Sequence, residues 1–409
     1  PEPGTYEGRD LSLVWGESDL SGRFQVKATG ERPEVTAALS SGRLDVRPFL
    51  SGPGKEQRAT EEGRPTGEKK ERVFSSEPLP FRWLDRLEGK IEFRVGHLLL
   101  PRVALDNLFA DLVLRNGTLE VEPLTFAVGG GAGDCRLKIG YEENGAAVTL
   151  TSTMKEIQVG PMLDELGYER NLEGSLDADL RLSGRGNSMA EIMAGLEGNI
   201  YLVMGNGRAA VKYLTMLNSD LQATLLRLIN PFQKQTAFTD FNCFVNRVEV
   251  HDGSARWKLL LDTEQTTIVA AGDIDLKTEE IDIGIKPSPK TGYGLKGLAQ
   301  LTLGLNELAK PLKLGGTLAN PSFTVDPVQA GLTIGKALGG FALFGPFGLI
   351  TALADLKLGG KDACLKAIEK AQARQQAGTN EKGTGPSTGQ EGDAGAKKKG
   401  GFWKRVFGL

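Results

Sequence analysis

The side chains able to do chemistry are few and scattered. The two histidines, His97 and His251, stand far apart in the sequence, which leaves little for any reaction that needs a positioned imidazole. The three cysteines, Cys135, Cys243 and Cys364, contain no Cys-x-x-Cys pair, so the ligand spacing of a zinc site is absent. They allow three buried small apolar side chains, or one disulfide and one free thiol. Asp252, Asp262, Asp273 and Asp275 fall at turn signals or wet strand positions, and are expected to cap turns or face solvent rather than to form a catalytic pair. Gly129-Gly130-Gly131 is followed by no Lys-Ser/Thr and opens no helix, so it reads as a bend or bulge in a strand rather than a phosphate loop. A Gly-x-Ser-x-Gly elbow is also missing. No catalytic residue, metal or cofactor is expected, and any site must be a surface.

The elements that would build such a surface are strands. Residues 246–285 alternate apolar and polar almost without interruption, and so do Ile91–Val95, Leu119–Glu122, Arg136–Ile139 and Leu176–Leu180. A period of two sends successive side chains to opposite faces of a pleat, one dry and one wet. Parity places Val248, Val250, Trp257, Leu259, Leu261, Ile268, Ile281, Ile283 and Ile285 on one dry face of the C-terminal strands. Parity does not say what covers that face. Asn116-Gly117 and Asn144-Gly145 predict tight hairpin turns. Gly205-Asn206-Gly207 reads as another turn, and Gly253, Gly272 and Gly315-Gly316 as strand breaks.

Helical signals are fewer. Ser188 with Glu191 predicts a capped short helix over Met189–Leu196. Leu214, Leu217, Leu221, Leu225, Leu228 and Ile229 recur at three-and-four spacing, which predicts an amphipathic helix over 208–230 ended by Pro231. Val328–Gly348 is apolar and Gly-rich, and Ala337–Ala354 is the one long uncharged stretch; Pro346 breaks it near its middle, so a bent hairpin is expected rather than a spanning helix. Residues 361–376 read as a polar helix, and 377–396 as low-complexity and disordered.

The predicted organisation is therefore 1–50 a strand module, 51–72 a charged linker, 73–207 a second strand module, 208–231 a helix, 232–325 a C-terminal sheet module, 326–376 an apolar hairpin with a terminal helix, and 377–409 a tail. The fold class is mainly β with minor α. A net charge of −3 over 409 residues argues against nucleic acid as a partner. In the tail, Lys398, Lys399, Phe402, Trp403, Lys404, Arg405 and Phe407 interleave cations with aromatics, a pattern suited to a membrane interface. The chain begins with Pro1 and reads as part of a longer protein.

Several blocks, in order, resemble the AsmA family of Gram-negative envelope proteins. They are Phe74–Pro80 with the strand after Leu87, Leu105–Leu108 with Leu112–Leu119 and Pro123-Leu124, and Gly184–Ser188 with Leu196–Gly198. Further on come Phe241–Phe244 through Asp252-Gly253, Leu261–Thr263, Gly272–Leu276, Ile283–Pro287 and Gly315–Pro321, with Cys364 in a late helix. The resemblance covers roughly residues 1–376 and leaves the basic aromatic end unexplained. It implies an elongated, curved antiparallel sheet shaped like a taco, with an apolar inner side. It also implies a periplasmic, inner-membrane-anchored protein that carries phospholipid acyl chains between the inner and outer membranes without catalysis. The alternative is an envelope assembly factor, acting on outer-membrane protein insertion, whose apolar face is filled by its own helices.

Overall fold

The computed structural model of the protein describes residues 3–50, 72–101, 103–142, 145–210, 238–264, 266–289, 312–324 and 326–337. Among these residues sixteen strands form one curved, unclosed sheet in which spatial order follows chain order, with β1 and β16 at its ends. They are β1 (Thr5–Trp15), β2 (Ser18–Lys27), β3 (Glu34–Asp45), β4 (Glu88–Leu100), β5 (Val103–Arg115), β6 (Thr118–Val128), β7 (Gly131–Glu142) and β8 (Gly145–Gln158). Then follow β9 (Leu172–Gly186), β10 (Glu197–Ala210), β11 (Phe238–His251), β12 (Ser254–Thr263), β13 (Thr266–Asp275), β14 (Ile281–Pro289), β15 (Leu312–Gly316) and β16 (Pro321–Thr324). Neighbours pair antiparallel except β3 and β4, which run parallel, and a parallel pair needs a crossover connection.

Turn chemistry makes this meander possible. Asn116-Gly117 (φ 50° and 72°) and Asp252-Gly253 (φ 46° and 72°) hold two successive positive φ angles, the demand of a type I′ hairpin. Gly129-Gly130 does the same (φ 51° and 73°), so the triple glycine is the hairpin between β6 and β7 and not a bulge within a strand. The reverse correction applies to Gly205-Asn206-Gly207. It lies inside β10, where the register slips between Met204 and Gly207. Gly272 likewise sits within β13 rather than ending a strand. Register slips recur in β1, β5, β6, β8 and β11; each bulge bends its strand, and their repetition curls a sheet.

Among the described residues, the helical elements are α1 (Arg47–Leu50), a 3-10 turn (Phe81–Arg86), α2 (Val159–Glu165), α3 (Met189–Ala194) and α4 (Pro327–Ala337). Ser188 caps α3 as expected, its Oγ accepting from the Glu191 amide at 3.2 Å. The Glu191 carboxylate reaches back one residue further than a capping box requires, to the Asn187 amide at 2.7 Å. Arg208–Ala210, expected to open a long helix, instead close β10; the rest of that predicted helix, Cys364 and the basic aromatic end lie outside the described residues. The start of the predicted apolar hairpin is the helix α4.

Residues 72–87, the last part of the crossover from β3 to β4, form a strap across the sheet. At its start, buried Glu279 accepts from the amides of Val73 (2.7 Å) and Phe74 (3.0 Å) and pairs with Arg72 (3.4 Å). Further on, the Leu79 amide donates to the Asn187 carbonyl (2.7 Å) and the Ser75 carbonyl accepts from Ala190 (3.0 Å). Leu84, wholly buried, packs with Leu114, Ile139 and Ala146. Full burial of a leucine contributes about 1.5–3 kcal/mol, which anchors the strap against β5, β7 and β8.

Candidate functional site

Register turns the alternation of single strands into one continuous surface. Residues directly opposite in a sheet share a face, and one such file crosses every strand: Leu11, Gly22, Leu39, Phe93, Ala110, Leu124, Cys135, Ser152, Leu180, Ile200, Val248, Trp257, Gly272, Ile283, Leu314 and Phe323. Its single hydroxyl, Ser152, is buried and bonded to the Cys135 thiol. A parallel file runs Ile91, Leu112, Val121, Leu137, Leu150, Leu182, Gly198, Val250, Ala255, Ile274 and Ile281. One residue over, on the opposite face, the file reads Arg136, Thr151, Arg181, Asn199, Glu249, Arg256, Asp273 and Asp282. The charged face is interrupted by one buried apolar patch, Val203, Val245, Leu260 and Val269; a curved sheet with one continuous dry face and an opposite face that is charged along this file is a groove.

The sequence-predicted residues fall on the dry face together. Val248, Trp257 and Ile283 lie in the first file, and Val250 and Ile281 in the second. Leu259 and Ile285 flank Ala270, while Leu261 opposes Ile268. Trp257, Leu259, Leu261, Ile268, Ile281, Ile283 and Ile285 form one cluster with Ala270 and Leu312. Val248 and Val250 belong to a second cluster with Ile192 and Leu196 at α3. Ile268, Ile283, Ile285 and Val250 are buried, the other five half-buried. Sequence parity missed the half-buried stretch over β7–β10, where Leu137, Leu150, Leu180, Leu182, Ile200 and Leu202 line up. Their period-two signal was visible; their alignment was not, because it depends on which strands are neighbours.

The helices divide between the faces. A Cβ on Gly184, which lies opposite Val148 on the dry face, would meet Ile192 Cγ2 at 2.9 Å, so α3 covers that face near one set of strand ends. The strap covers the same side, and α2 packs on the dry face near the other strand ends, with Val159 and Met162 against Met204 and Phe241. By contrast, α4 lies on the charged face. A Cβ on Gly284 would meet the Ala330 carbonyl oxygen at 2.5 Å, and Thr333 Oγ1 donates to Asp282 (2.9 Å). The described part of the Gly-rich C-terminal segment therefore leaves the dry face uncovered.

The titratable groups are used structurally. His97 pairs with Asp106 at 2.6 Å and His251 with Glu197 at 2.9 Å. Asp275 caps the amides of Lys277 (2.8 Å) and Thr278 (3.0 Å), and Asp252 sits in its hairpin turn. Asp273 faces Arg256 at 3.4 Å. Asp262 departs from expectation. It is buried and accepts from Thr267 (2.7 Å) and Asn242 (3.0 Å). A cleft of about 410 Å³ on the charged face is lined by Ser254, Asp273, Asp275, Glu280, Ile281, Asp282, Gly316 and Thr317, and three of its four carboxylates are engaged as described. Among the described residues no His/Cys/Asp/Glu group has metal-site geometry. Nor is any helix among them long and apolar enough to cross a membrane. Cys135 is a buried free thiol whose pKa burial pushes up. Cys243 is disulfide-bonded, which rules out three buried thiols.

A family model described as AsmA family matches residues 8–260. The chain belongs to the AsmA family. The matched span takes in most of β1 through most of β12, so the AsmA region includes the dry files as far as β12, and they run on beyond it into β13–β16. The AsmA family protein YhjG of Escherichia coli (strain K12) is 23% identical over 349 residues, covering 81% of this chain and 47% of that protein. The chain thus spans about half the length of this AsmA relative. No solved structure matches. AsmA membership supports an envelope-related role, and the family is not known as one of enzymes.

Proposed function

We propose that the dry face carries phospholipid acyl chains between the inner and outer membranes, without catalysis, in a periplasmic protein anchored to the inner membrane. The observation that carries the reading is the apolar file through all sixteen strands. At about 4.8 Å between strands it extends for about 70 Å. One acyl chain occupies about half of a roughly 30 Å bilayer core, so the file is a track several chains long rather than a pocket for one lipid. Each buried CH₂ contributes about 0.8 kcal/mol, a hold spread over many weak contacts with no single strong one, which permits sliding.

Half-buried Leu180 tests this directly. A photo-crosslinking residue there, in protein exposed to phosphatidylethanolamine–phosphatidylglycerol vesicles, is expected to yield a lipid adduct, whereas one at adjacent, exposed Arg181 on the charged face yields none. Equal yields would overturn the reading. The burial of Ile268, Ile283 and Ile285 favours a second reading for β13 and β14, a self-filled face in an assembly factor; adducts at Leu180 but none at Ile283 would confine the conduit to the earlier strands.

The disulfide at Cys243 supports an oxidising compartment such as the periplasm, since disulfides persist there and are rare in the cytosol. Reduction is expected to destabilise the protein by about 2–4 kcal/mol, read as a lower Tm. Peptide mapping without reductant is expected to find Cys135 alkylated after unfolding and Cys243 protected.

A further inference from the structure

Aromatic rings on the dry face recur opposite glycines. Phe24 faces Gly8, Phe126 faces Gly133 and Phe241 faces Gly207 on the neighbouring strand. In each pair the ring occupies the space a side chain on the glycine would fill. A Cβ on Gly133 would meet Phe126 Cε2 at 2.4 Å and Cζ at 2.5 Å; on Gly8 it would meet Phe24 Cε1 at 2.4 Å; on Gly207, Phe241 Cζ at 2.4 Å. Cε and Cζ are the far end of a phenylalanine. Each ring therefore lies along the sheet, its tip over the next strand, instead of standing up into the groove. At Gly133 and Gly8 the nearest atoms are all ring atoms, and the backbone φ is ordinary. The ring is what a side chain there would meet first.

We propose that these glycines set the clearance of the groove by letting the phenylalanines lie flat beneath the passing acyl chain, which makes Gly133 and Phe126 positioning residues for transport. The inference rests on the acyl-chain reading above. A methyl at Gly133 would lift the Phe126 ring toward the lumen, where it would obstruct the track locally.

The test uses the full chain, carrying a photo-crosslinking residue at Met154, directly opposite Gly133, or at Leu182, two strands from Gly133, with phosphatidylethanolamine–phosphatidylglycerol vesicles. Gly133→Ala is expected to lower the lipid adduct at Met154 by about fivefold or more, the range that overpacking a fitted space reaches, and to leave the adduct at Leu182 unchanged. Gly133→Ala combined with Phe126→Ala is expected to restore the Met154 adduct. An unchanged yield in Gly133→Ala, or a loss at both positions that the double variant does not restore, would overturn the clearance role while leaving the conduit standing. No adduct at either position in the parent, relative to a crosslinker at Arg181, would overturn the conduit and this inference together.

Discussion

Leu150→Glu is expected to cut lipid binding around Leu150 and Leu180 by well over tenfold while the protein still folds. Leu150 stands in the middle of the second dry file, directly between Leu137 and Leu182, and is half-buried. A carboxylate there keeps its own contact with water when no lipid is present, so the folding cost stays near about 1–3 kcal/mol. With an acyl chain laid over it, the charge loses that water and gains no partner. Desolvating an unpaired ion costs several kcal/mol, and each 1.4 kcal/mol is about tenfold in occupancy. The lipid adduct at Leu180 is therefore expected to fall by well over tenfold, with Tm lowered by only a few degrees. Thr151→Glu is the matched control, one residue along the same strand on the opposite face. Its carboxylate would lie between Arg136 and Arg181, and lipid adducts should not change. If both variants lose the adduct equally while Tm is kept, the dry face is not the lipid track.

The largest stability effect is expected at Glu279, the clasp of the strap. Its side chain is 1% exposed and receives two backbone amides and a guanidinium. Removing one partner of a buried charged network costs about 3–5 kcal/mol, because the groups left behind are stranded without water. Glu279→Ala should therefore lower stability by that order and expose the amides of Val73 and Phe74 to hydrogen exchange. Glu279→Gln keeps an acceptor oxygen and should cost less. Burial by itself would raise this carboxyl's pKa; the Val73 and Phe74 amides and Arg72 together bring it below the ordinary glutamate value of 4.5. The folded-state pKa is thus depressed, so the contribution is fully present above about 4.5 and is lost as pH falls below it toward the folded pKa. Acid titration of the Phe74 exchange rate should show release of the strap in that window, and the pH dependence should vanish in Glu279→Gln.

The strap shows why part of the site was hidden from sequence. Phe74, Leu79 and Leu84 carry no period, so nothing local marks them as a cover. Phe74 is held by Glu279, 205 residues away in the β13–β14 turn, Leu79 by the Asn187 carbonyl, and Leu84 by its packing with Leu114, Ile139 and Ala146. Gly133 is a similar case. Its spacing from Phe126 looks like any hairpin arm, and only the register places the ring over the glycine. The faces taken by the helices were equally undetermined. Ile334 and Ala330 make α4 apolar on one side, yet which face of the sheet it meets was settled by Gly284, where the missing side chain admits the helix backbone.

Read strand by strand, the amino acids already mark the described chain as a succession of two-faced strands, show where several of the hairpins turn, and say which residues of each strand are dry. Those are local properties: a period of two, a positive φ that Asn-Gly or Asp-Gly tolerates, and a Ser188 hydroxyl within reach of its own helix. Long-range pairing is what lays the dry residues of sixteen strands in continuous files, lets the bulges curl the sheet without breaking them, and sets the strap, α2 and α3 over the groove along the strand ends. The physical reason is that alternation constrains one strand at a time, whereas a groove requires neighbouring strands to agree in register, and register is set by pairing between residues that local sequence does not connect.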